Sequence, residues 1–339
     1  MKSRWQSASS VVYAIAMLVL ILDAKTALTG AKEGITLCLY TVIPSLFPFI
    51  FISGILSSTL VGLNLPILRP IGKLCGIPSG SEPLLLLGLI GGYPVGAQNI
   101  AHAFNSGQLD KNTARRMLGF CNNAGPAFIF GLMSSMFKSP AAPWFLWLIH
   151  IISALAVGSF LPGKQQYACN IPMKKPPTAA KALASSIKTM AEICGWIIIF
   201  RIFLTVLKRW LLWLLPPHMT IILYGFTELT NGCISLFQYN AEGAKFVLAS
   251  VFIGFGGLCI AMQTMSVTNG LGTGYYFPGK ILQTSISFFL SSVLQQFILP
   301  PNELVTIPAF AYITVGGIVL GLMFWFHYRK KVVEIPCFV

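Results

Sequence analysis

One carboxylate stands alone inside an apolar stretch of the sequence. Glu228 lies within ILYGFTELTNGCISLF, and no Lys or Arg occurs between Arg209 and Lys245. A carboxylate at membrane depth is costly unless it is paired or hydrated, so it is a functional candidate by default. It could bind a cation, take up a coupling proton or hydrogen-bond a polar solute. The alternative is a structural ion pair, for which Arg201 is a candidate partner.

Neutral polar groups accompany this carboxylate. Thr230, Asn231 and Gly232 follow it directly and offer a hydroxyl, an amide and a backbone open to close approach. Further amides occur in other apolar runs, at Gln98, Asn99, Asn122, Asn123 and Gln263. Such amides also form interhelical hydrogen bonds worth about 0.6 kcal/mol. The tandem amides just before Gly125 favour a substrate-binding site over simple helix contacts.

The run 84–104, LLLLGLIGGYPVGAQNIAHAF, is apolar enough for a bilayer but is interrupted near its middle. The interruption comprises Gly91, Gly92, Tyr93, Pro94 and Gly96. Proline removes a backbone donor and clashes with the carbonyl four residues back, so a straight helix is not expected. Freed backbone groups are tolerated in hydrocarbon only where protein buries them or where they line a wet cavity. The run is therefore predicted to be a re-entrant or broken segment that presents its backbone to a site.

Composition requires that these residues sit in a polytopic membrane protein. The chain is 55% hydrophobic and only 9% charged, with a mean hydropathy of +0.75. The net charge of +14 is spread over short loops, which fits topological signals and not a nucleic-acid surface. The eight cysteines show no CxxC spacing and are expected to be free thiols. No soluble enzyme motif, metal-ligand spacing or cofactor motif is present, so we expect neither an enzyme nor a bound metal; a coupling cation or proton stays open.

Apolar runs and polar breaks predict an all-α fold with eight transmembrane helices and two interrupted hairpins. A first helix at about 9–28 is favoured over a cleaved signal peptide because no clear cleavage site follows. The remaining spans are predicted at 35–57, 117–137, 143–161, 189–207, 245–267, 281–299 and 307–328, with hairpins at 84–104 and 219–237. The organisation is then an N-terminal helix (1–34), a first repeat (35–161), a cytoplasmic linker (162–188), a second repeat (189–299) and a C-terminal helix with a basic tail (300–339).

The distribution of Lys and Arg supports this topology. If each hairpin returns to the side it entered from and both termini are cytoplasmic, 16 basic residues, including Arg116 and Lys280, are cytoplasmic and 6, including Lys245, are outside. Each repeat then contributes three full crossings, so the second repeat is inverted relative to the first. Inverted repeats with discontinuous segments that meet near the midplane are typical of secondary transporters.

Four motifs, in this order and spacing, resemble one bacterial family. They are GGYPVGA (91–97), a link ending in ARR, FCNNAGP (120–126) and ELTNG (228–232). The set is similar to the nucleoside-recognition or Gate family, and most closely to its YlbJ-type sporulation integral membrane proteins, over about residues 35–325. The resemblance implies an integral protein of the cytoplasmic membrane in spore-forming Gram-positive bacteria. The family's relatives include concentrative nucleoside transporters and the membrane part of ferrous-iron transport proteins.

Two hypotheses for the function follow. The first is a secondary transporter or gated pore for a small polar solute, including nucleoside-like compounds, in which residues 91–99 and 228–232 form opposed hairpin tips. The second is a non-transporting membrane component of spore maturation whose polar centre serves packing or assembly. The expected partners are the lipid bilayer and the solute, with no nucleic acid; association into a homo-oligomer stays open.

Overall fold

The computed structural model describes residues 2–60, 63, 65–162, 177–268 and 270–333, and all regular secondary structure in these residues is helical. Five segments within them are long and apolar enough to cross a membrane: Ala24–Leu56, Ala142–Phe160, Ala179–Trp210, Glu242–Val267 and Ala309–Phe326. The all-α, membrane-spanning class predicted from composition is therefore confirmed, while the number of crossings stays a prediction.

Sixteen α-helices follow one another along the described chain. They are α1 (Lys2–Leu22), α2 (Ala24–Leu37), α3 (Ile43–Leu60), α4 (Arg69–Leu74), α5 (Glu82–Ile90), α6 (Val95–Asn105), α7 (Lys111–Met117), α8 (Pro126–Phe128), α9 (Ala142–Phe160), α10 (Ala179–Trp210), α11 (Pro217–Thr227), α12 (Leu229–Leu236), α13 (Glu242–Phe255), α14 (Gly257–Val267), α15 (Tyr276–Leu294) and α16 (Ala309–Val333). Single π-helical turns occupy Cys38–Val42 and Ile129–Met133, and short 3₁₀ turns occupy Ser134–Met136, Leu212–Leu214, Gln295–Phe297 and Pro301–Glu303.

The first helix ends earlier in the chain than the predicted span of 9–28. It ends at Leu22 because Asp23 caps the next helix, where its carboxylate accepts from the backbone N–H of Thr26 at 3.4 Å. Asp23 also accepts from the indole N–H of Trp210 at 2.8 Å and pairs with Arg209 at 3.0 Å. An acceptor at the N-cap satisfies a free amide of the new helix, so the charge at Asp23 separates α1 from α2.

Close packing joins α2 to α10. A Cβ at Gly30 would lie 2.9 Å from Ile202 Cα, and a Cβ at Gly34 would lie 2.9 Å from Ile198 Cα. Two glycines four residues apart let helix backbones approach closely, which is a common packing device in membranes. The GAKEG sequence (30–34) therefore forms part of the contact surface between α2 and α10.

The long helix α10 covers part of the predicted cytoplasmic linker. It begins at Ala179, where the Thr178 hydroxyl accepts from the backbone N–H of Lys181 at 3.4 Å. Residues 179–188 of the predicted linker 162–188 are thus helical, and 163–176 lie outside the described residues. At about 1.5 Å per residue, this 32-residue helix is longer than the roughly 30 Å hydrocarbon core of a bilayer.

Two parts of the described chain, 24–160 and 179–294, have a similar order of elements. The first has a leading segment (α2–α3), a hairpin of two packed helices (α5 and α6), an irregular stretch before α8, and a closing helix (α9). The second has α10, a hairpin (α11 and α12), the interrupted pair α13–α14, and α15. The leading segments pack against each other, and so do the closing helices α9 and α15.

A buried arginine joins the helix ends at one side of the first half. Arg116 is 5% exposed, and its guanidinium donates to Gly158 O at 2.8 Å, Leu161 O at 3.2 Å, Gly76 O at 3.1 Å and Cys75 O. Carbonyls at helix C-termini carry partial negative charge that favours a cation. Arg116 was expected to be a loop charge; the structure instead uses it to hold α7 against the ends of α4 and α9.

Candidate functional site

The first hairpin is interrupted where the sequence predicts. Helix α5 ends at Ile90, Gly92 has φ +81°, the Tyr93–Pro94 peptide bond is cis, and α6 begins at Val95. A positive φ is strained for residues other than glycine, which explains Gly92. At Gly91 a Cβ would lie 2.8 Å from Leu87 O, so this turn also has no room for a side chain.

The hairpin packs backbone to backbone on the CNNAG stretch. A Cβ at Gly96 would lie 2.0 Å from Cys121 O, and a Cβ at Gly125 would lie 2.8 Å from Ile90 O and 2.9 Å from Gly92 N. Residues 122–125 are not helical. The break in α5–α6 and the break before α8 therefore touch each other directly.

The tandem amides of this stretch hold it in place. Asn122 accepts from Ala97 N at 3.3 Å and donates to the hydroxyl of Thr264 at 2.9 Å. Asn123 donates to Phe120 O at 2.7 Å. Both side chains are fully buried. They fix the irregular backbone before Gly125 and do not line the cavity described below.

The second hairpin is interrupted at Glu228. The residue has an extended backbone, and its two carboxylate oxygens accept from Thr230 N at 3.0 Å and Asn231 N at 2.7 Å, so it caps α12. Glu228 is 2% exposed. A carboxylate at a helix N-terminus is stabilised by free amides and by the helix dipole. Gly232 lets α12 approach α11, because its Cβ would lie 2.2 Å from Gly225 Cα.

A further helix break, between α13 and α14, was not predicted. The span expected at 245–267 is interrupted at Gly256, which has φ +85°. A Cβ there would lie 3.2 Å from Tyr93 Cζ, and one at Gly257 would lie 3.2 Å from Leu229 N. This break touches both hairpins, so four interrupted helices meet in one place.

A cavity of about 60 Å³ lies at this meeting point. Six of the predicted site residues line it: Gly92, Tyr93, Gly125, Glu228, Thr230 and Gln263. Thr41 of the first π-helical turn and Ser45 of α3 line it as well. At about 10–15 Å³ per water molecule, this volume holds a few waters or one small polar group. Glu228 is the one charged side chain among the described residues that form the wall.

The remaining predicted site residues lie next to this wall without forming it. Gln98 donates to the Thr189 hydroxyl at 2.8 Å and so joins α6 to α10. Asn231 accepts from Arg201, which also pairs with Glu33 at 2.9 Å. The amide nitrogens of Asn99 and Asn231 are buried without a hydrogen-bond partner. Gly91, Pro94, Gly96, Asn122, Asn123 and Gly232 have backbone or packing roles.

The sequence analysis missed the most deeply buried charge of the region. Lys280 was counted as a cytoplasmic loop residue, which is wrong: α15 begins at Tyr276, and Lys280 in its second turn is fully buried. Its amine donates to Gln283 at 2.7 Å, to the Tyr93 hydroxyl at 3.2 Å and to Asn123 at 3.4 Å. The glycine-rich run before it resembles a loop, and no signal in the sequence separates this lysine from a loop charge.

His150 was also overlooked, because the histidines share no metal-ligand spacing and none was assigned a role at the site. It lies inside α9 and is buried, and its Nε2 accepts from Ala124 N at 3.0 Å. Lys245, expected to be an outside loop charge, is buried in α13 and pairs with Glu242 at 2.6 Å. Three basic residues that the sequence analysis assigned to loops are therefore buried in contacts between helices: Arg116, Lys245 and Lys280.

Comparison with known proteins finds a similarity to an integral membrane protein. The chain is similar to the sporulation integral membrane protein YlbJ of Bacillus subtilis (strain 168), with 26% identity over 310 residues that cover 75% of this chain and 74% of that protein. No family model and no solved structure matches the chain, so membership of the Gate family stays a prediction. The five long apolar helices and this similarity show an integral membrane protein with a homologue named for sporulation.

Proposed function

We propose that the chain is a secondary transporter or gated pore for a small polar solute, nucleoside-like compounds included. In this proposal eight helices cross the cytoplasmic membrane, both hairpins are re-entrant, and residues 35–161 and 189–299 form inverted repeats. An N-terminal helix (1–34) and a C-terminal helix with a basic tail (300–339) flank them, and both termini are cytoplasmic. The similarity to a sporulation protein suggests a role in sporulation for this chain too.

The observation that carries the proposal is the convergence of four helix breaks on one cavity. Gly125 packs on Gly92, Gly256 packs on Tyr93, and Gly257 packs on Leu229 and Glu228. Gly92, Gly125 and Glu228 line the cavity wall. Interrupted helices in a membrane leave backbone groups that must be buried or must line a cavity. In many transporters such breaks surround the solute near the midplane.

The cavity wall has groups suited to a polar solute. Glu228 accepts one backbone N–H on each oxygen, which leaves lone pairs for a hydroxyl, an amine or a cation. Thr230 and Gln263 add a hydroxyl and an amide, and Tyr93 and Phe128 add aromatic rings. This set fits one donor group of a solute, and a whole nucleoside-like compound requires the cavity of about 60 Å³ to widen.

The alternative is a membrane component that does not transport and whose polar centre serves assembly. The capping of α12 by Glu228 favours it, because both carboxylate oxygens are already used in holding the helix. The two candidates differ in whether Glu228 also contacts something that enters the cavity.

The test compares Glu228→Gln with Glu303→Gln, a matched change outside the cavity. Purified protein is heated with uridine, adenosine, L-serine or sodium chloride. The transport proposal predicts that at least one solute raises the melting temperature of the wild type and of Glu303→Gln, because ligands that bind the folded state stabilise it. The same solute should not raise the melting temperature of Glu228→Gln. Uptake of that solute into proteoliposomes is then measured.

A second, milder variant keeps the test informative if Glu228→Gln does not fold. Thr230→Val removes one hydroxyl from the wall and keeps its shape, so the protein should remain abundant in the membrane with a weakened solute shift. If Glu228→Gln and Thr230→Val both fold and respond to the solute as the wild type does, the transport proposal fails. Loss of Glu228→Gln from the membrane, with no solute response in the wild type, would favour the assembly role.

A further inference from the structure

Two buried lysines in the second half have different surroundings. Lys245 is 6% exposed, pairs with Glu242 at 2.6 Å and donates to Met136 O at 3.1 Å. Lys280 is 0% exposed and, within the described part of the chain, has no carboxylate partner. Burying an amine without an opposite charge is unfavourable compared with an apolar side chain of similar length. The position of Lys280 therefore calls for an explanation beyond packing.

The acceptors of Lys280 come from both halves of the chain. Gln283 belongs to α15, whereas Tyr93 and Asn123 belong to the breaks of the first half. The amine also lies 4.9 Å from the centre of the Tyr93 ring, within range of a cation–π interaction. One side chain thus contacts the first hairpin, the CNNAG stretch and the closing helix of the second half.

Tyr93 transmits this contact to the cavity. Its ring lines the cavity wall, and its hydroxyl donates to Ile253 O at 3.0 Å, in the last turn of α13 before the Gly256 break. The ring also fills the space beside Gly256, where a Cβ would lie 3.2 Å from Cζ. The position of Tyr93 is thus set by α13 on one side and by Lys280 on the other.

The amide partners of Lys280 are fixed in turn. Gln283 donates to Asn123 at 3.0 Å and lies 3.4 Å from His150 Nδ1. His150 Nε2 accepts from the backbone of Ala124, a residue of the cavity wall. The amine therefore sits in a buried polar network, and such networks specify one geometry when their members are satisfied.

We propose that Lys280 is a positioning residue that holds Tyr93, and with it the break of the first hairpin, against the cavity. This inference rests on the proposed function for its purpose, because a fixed wall matters only if something binds there. The contact itself does not depend on transport. Any movement of the first hairpin relative to α15 must break this contact or carry Lys280 along.

The experiment measures amide hydrogen exchange in the purified full-length chain for Lys280→Met, Tyr93→Phe and the double variant. Lys208→Met, an exposed lysine of α10, is the matched control. Loss of a buried hydrogen-bonded link should speed exchange of residues 90–97 and 120–126 by about tenfold. The rest of the chain and the Lys208→Met control should exchange as the wild type does.

The double variant separates positioning from a general structural role. If Lys280 acts through the Tyr93 hydroxyl, Tyr93→Phe should add little once Lys280 is replaced, whereas independent effects would add. Unchanged exchange at 90–97 in Lys280→Met, or faster exchange spread evenly over the chain, would overturn the proposal. Because no solute is needed, a localised effect supports the positioning role even where every solute test of transport is negative.

Discussion

The two hairpins interrupt their helices by different chemistry. In the first, the break is made of Gly91, Gly92 and a cis proline, and no side chain caps the following helix. In the second, one extended residue, Glu228, separates the helices and caps α12 with its carboxylate. Both breaks reach the same cavity.

The difference indicates a division of roles. The glycine break lets backbone approach backbone, and its charged contact comes from a distant residue, Lys280. The carboxylate break places its own charge in the cavity wall. We infer that the first hairpin supplies shape and the second supplies the charge.

The largest loss of stability is expected where a glycine of either hairpin packs directly on another backbone. Gly96→Ala would place a Cβ 2.0 Å from Cys121 O, and Gly232→Ala would place one 2.2 Å from Gly225 Cα. Since the obstructing atoms are backbone, each change should destabilise the protein by about 3 kcal/mol or more. Gly195→Ala, where a Cβ meets no atom within 4 Å, should be neutral or stabilising. Melting curves in detergent measure this, and wild-type melting of either tight-site variant would contradict close packing there.

A smaller loss of stability is expected for substitutions of Glu228, and two of them distinguish its role as a helix cap from the role of its charge. Glu228→Ala removes both and should cost about 1–2 kcal/mol through the lost cap. Glu228→Ser keeps an acceptor for the amides of α12 but no charge, so it should regain much of the stability without regaining any solute-induced shift. Equal melting temperatures for the two variants would show that the carboxylate does not act as a cap.

The smallest effect is expected for a charge pair away from both breaks. Lys138 and Glu303 lie 2.9 Å apart with the lysine largely exposed, so Glu303→Gln should leave the melting temperature nearly unchanged at neutral pH. The hydrogen bond with Glu303 raises the pKa of Lys138 above its ordinary 10.5. Any stability from the pair is therefore present at neutral pH and lost as the pH rises through the raised pKa. A large loss of stability in Glu303→Gln would show that this control is unsuitable.

Both hairpin breaks could be predicted from the sequence, because the residues that cause them act on the backbone next to them. Glycine and proline act on their own backbone, and a carboxylate in an apolar run has few alternatives, so the breaks at 91–94 and 228 lie where expected. The break at Gly256 was missed because Gly254, Gly256 and Gly257 were placed inside one continuous span, glycine being more frequent in membrane helices than in soluble ones. Lys280 was missed because its burial depends on Tyr93 and Asn123, which are distant in sequence, and because it was assigned to the end of the glycine-rich loop 268–280.

The central claim is that breaks from both halves meet at one cavity, and a cysteine cross-link tests it most directly. Ala124→Cys and Thr230→Cys introduce thiols at two wall positions, one in each half. Cys121→Ala and Cys233→Ala form the background, because these native thiols lie in the same two peptides. After treatment of membranes with a short bifunctional thiol reagent, mass spectrometry should find the peptides around 124 and 230 joined in the double variant and in neither single variant. The native pair Cys38 and Cys194, where the Cys38 thiol lies 3.8 Å from Cys194 O, is the internal reference. A linked reference pair without any 124–230 link would contradict the account.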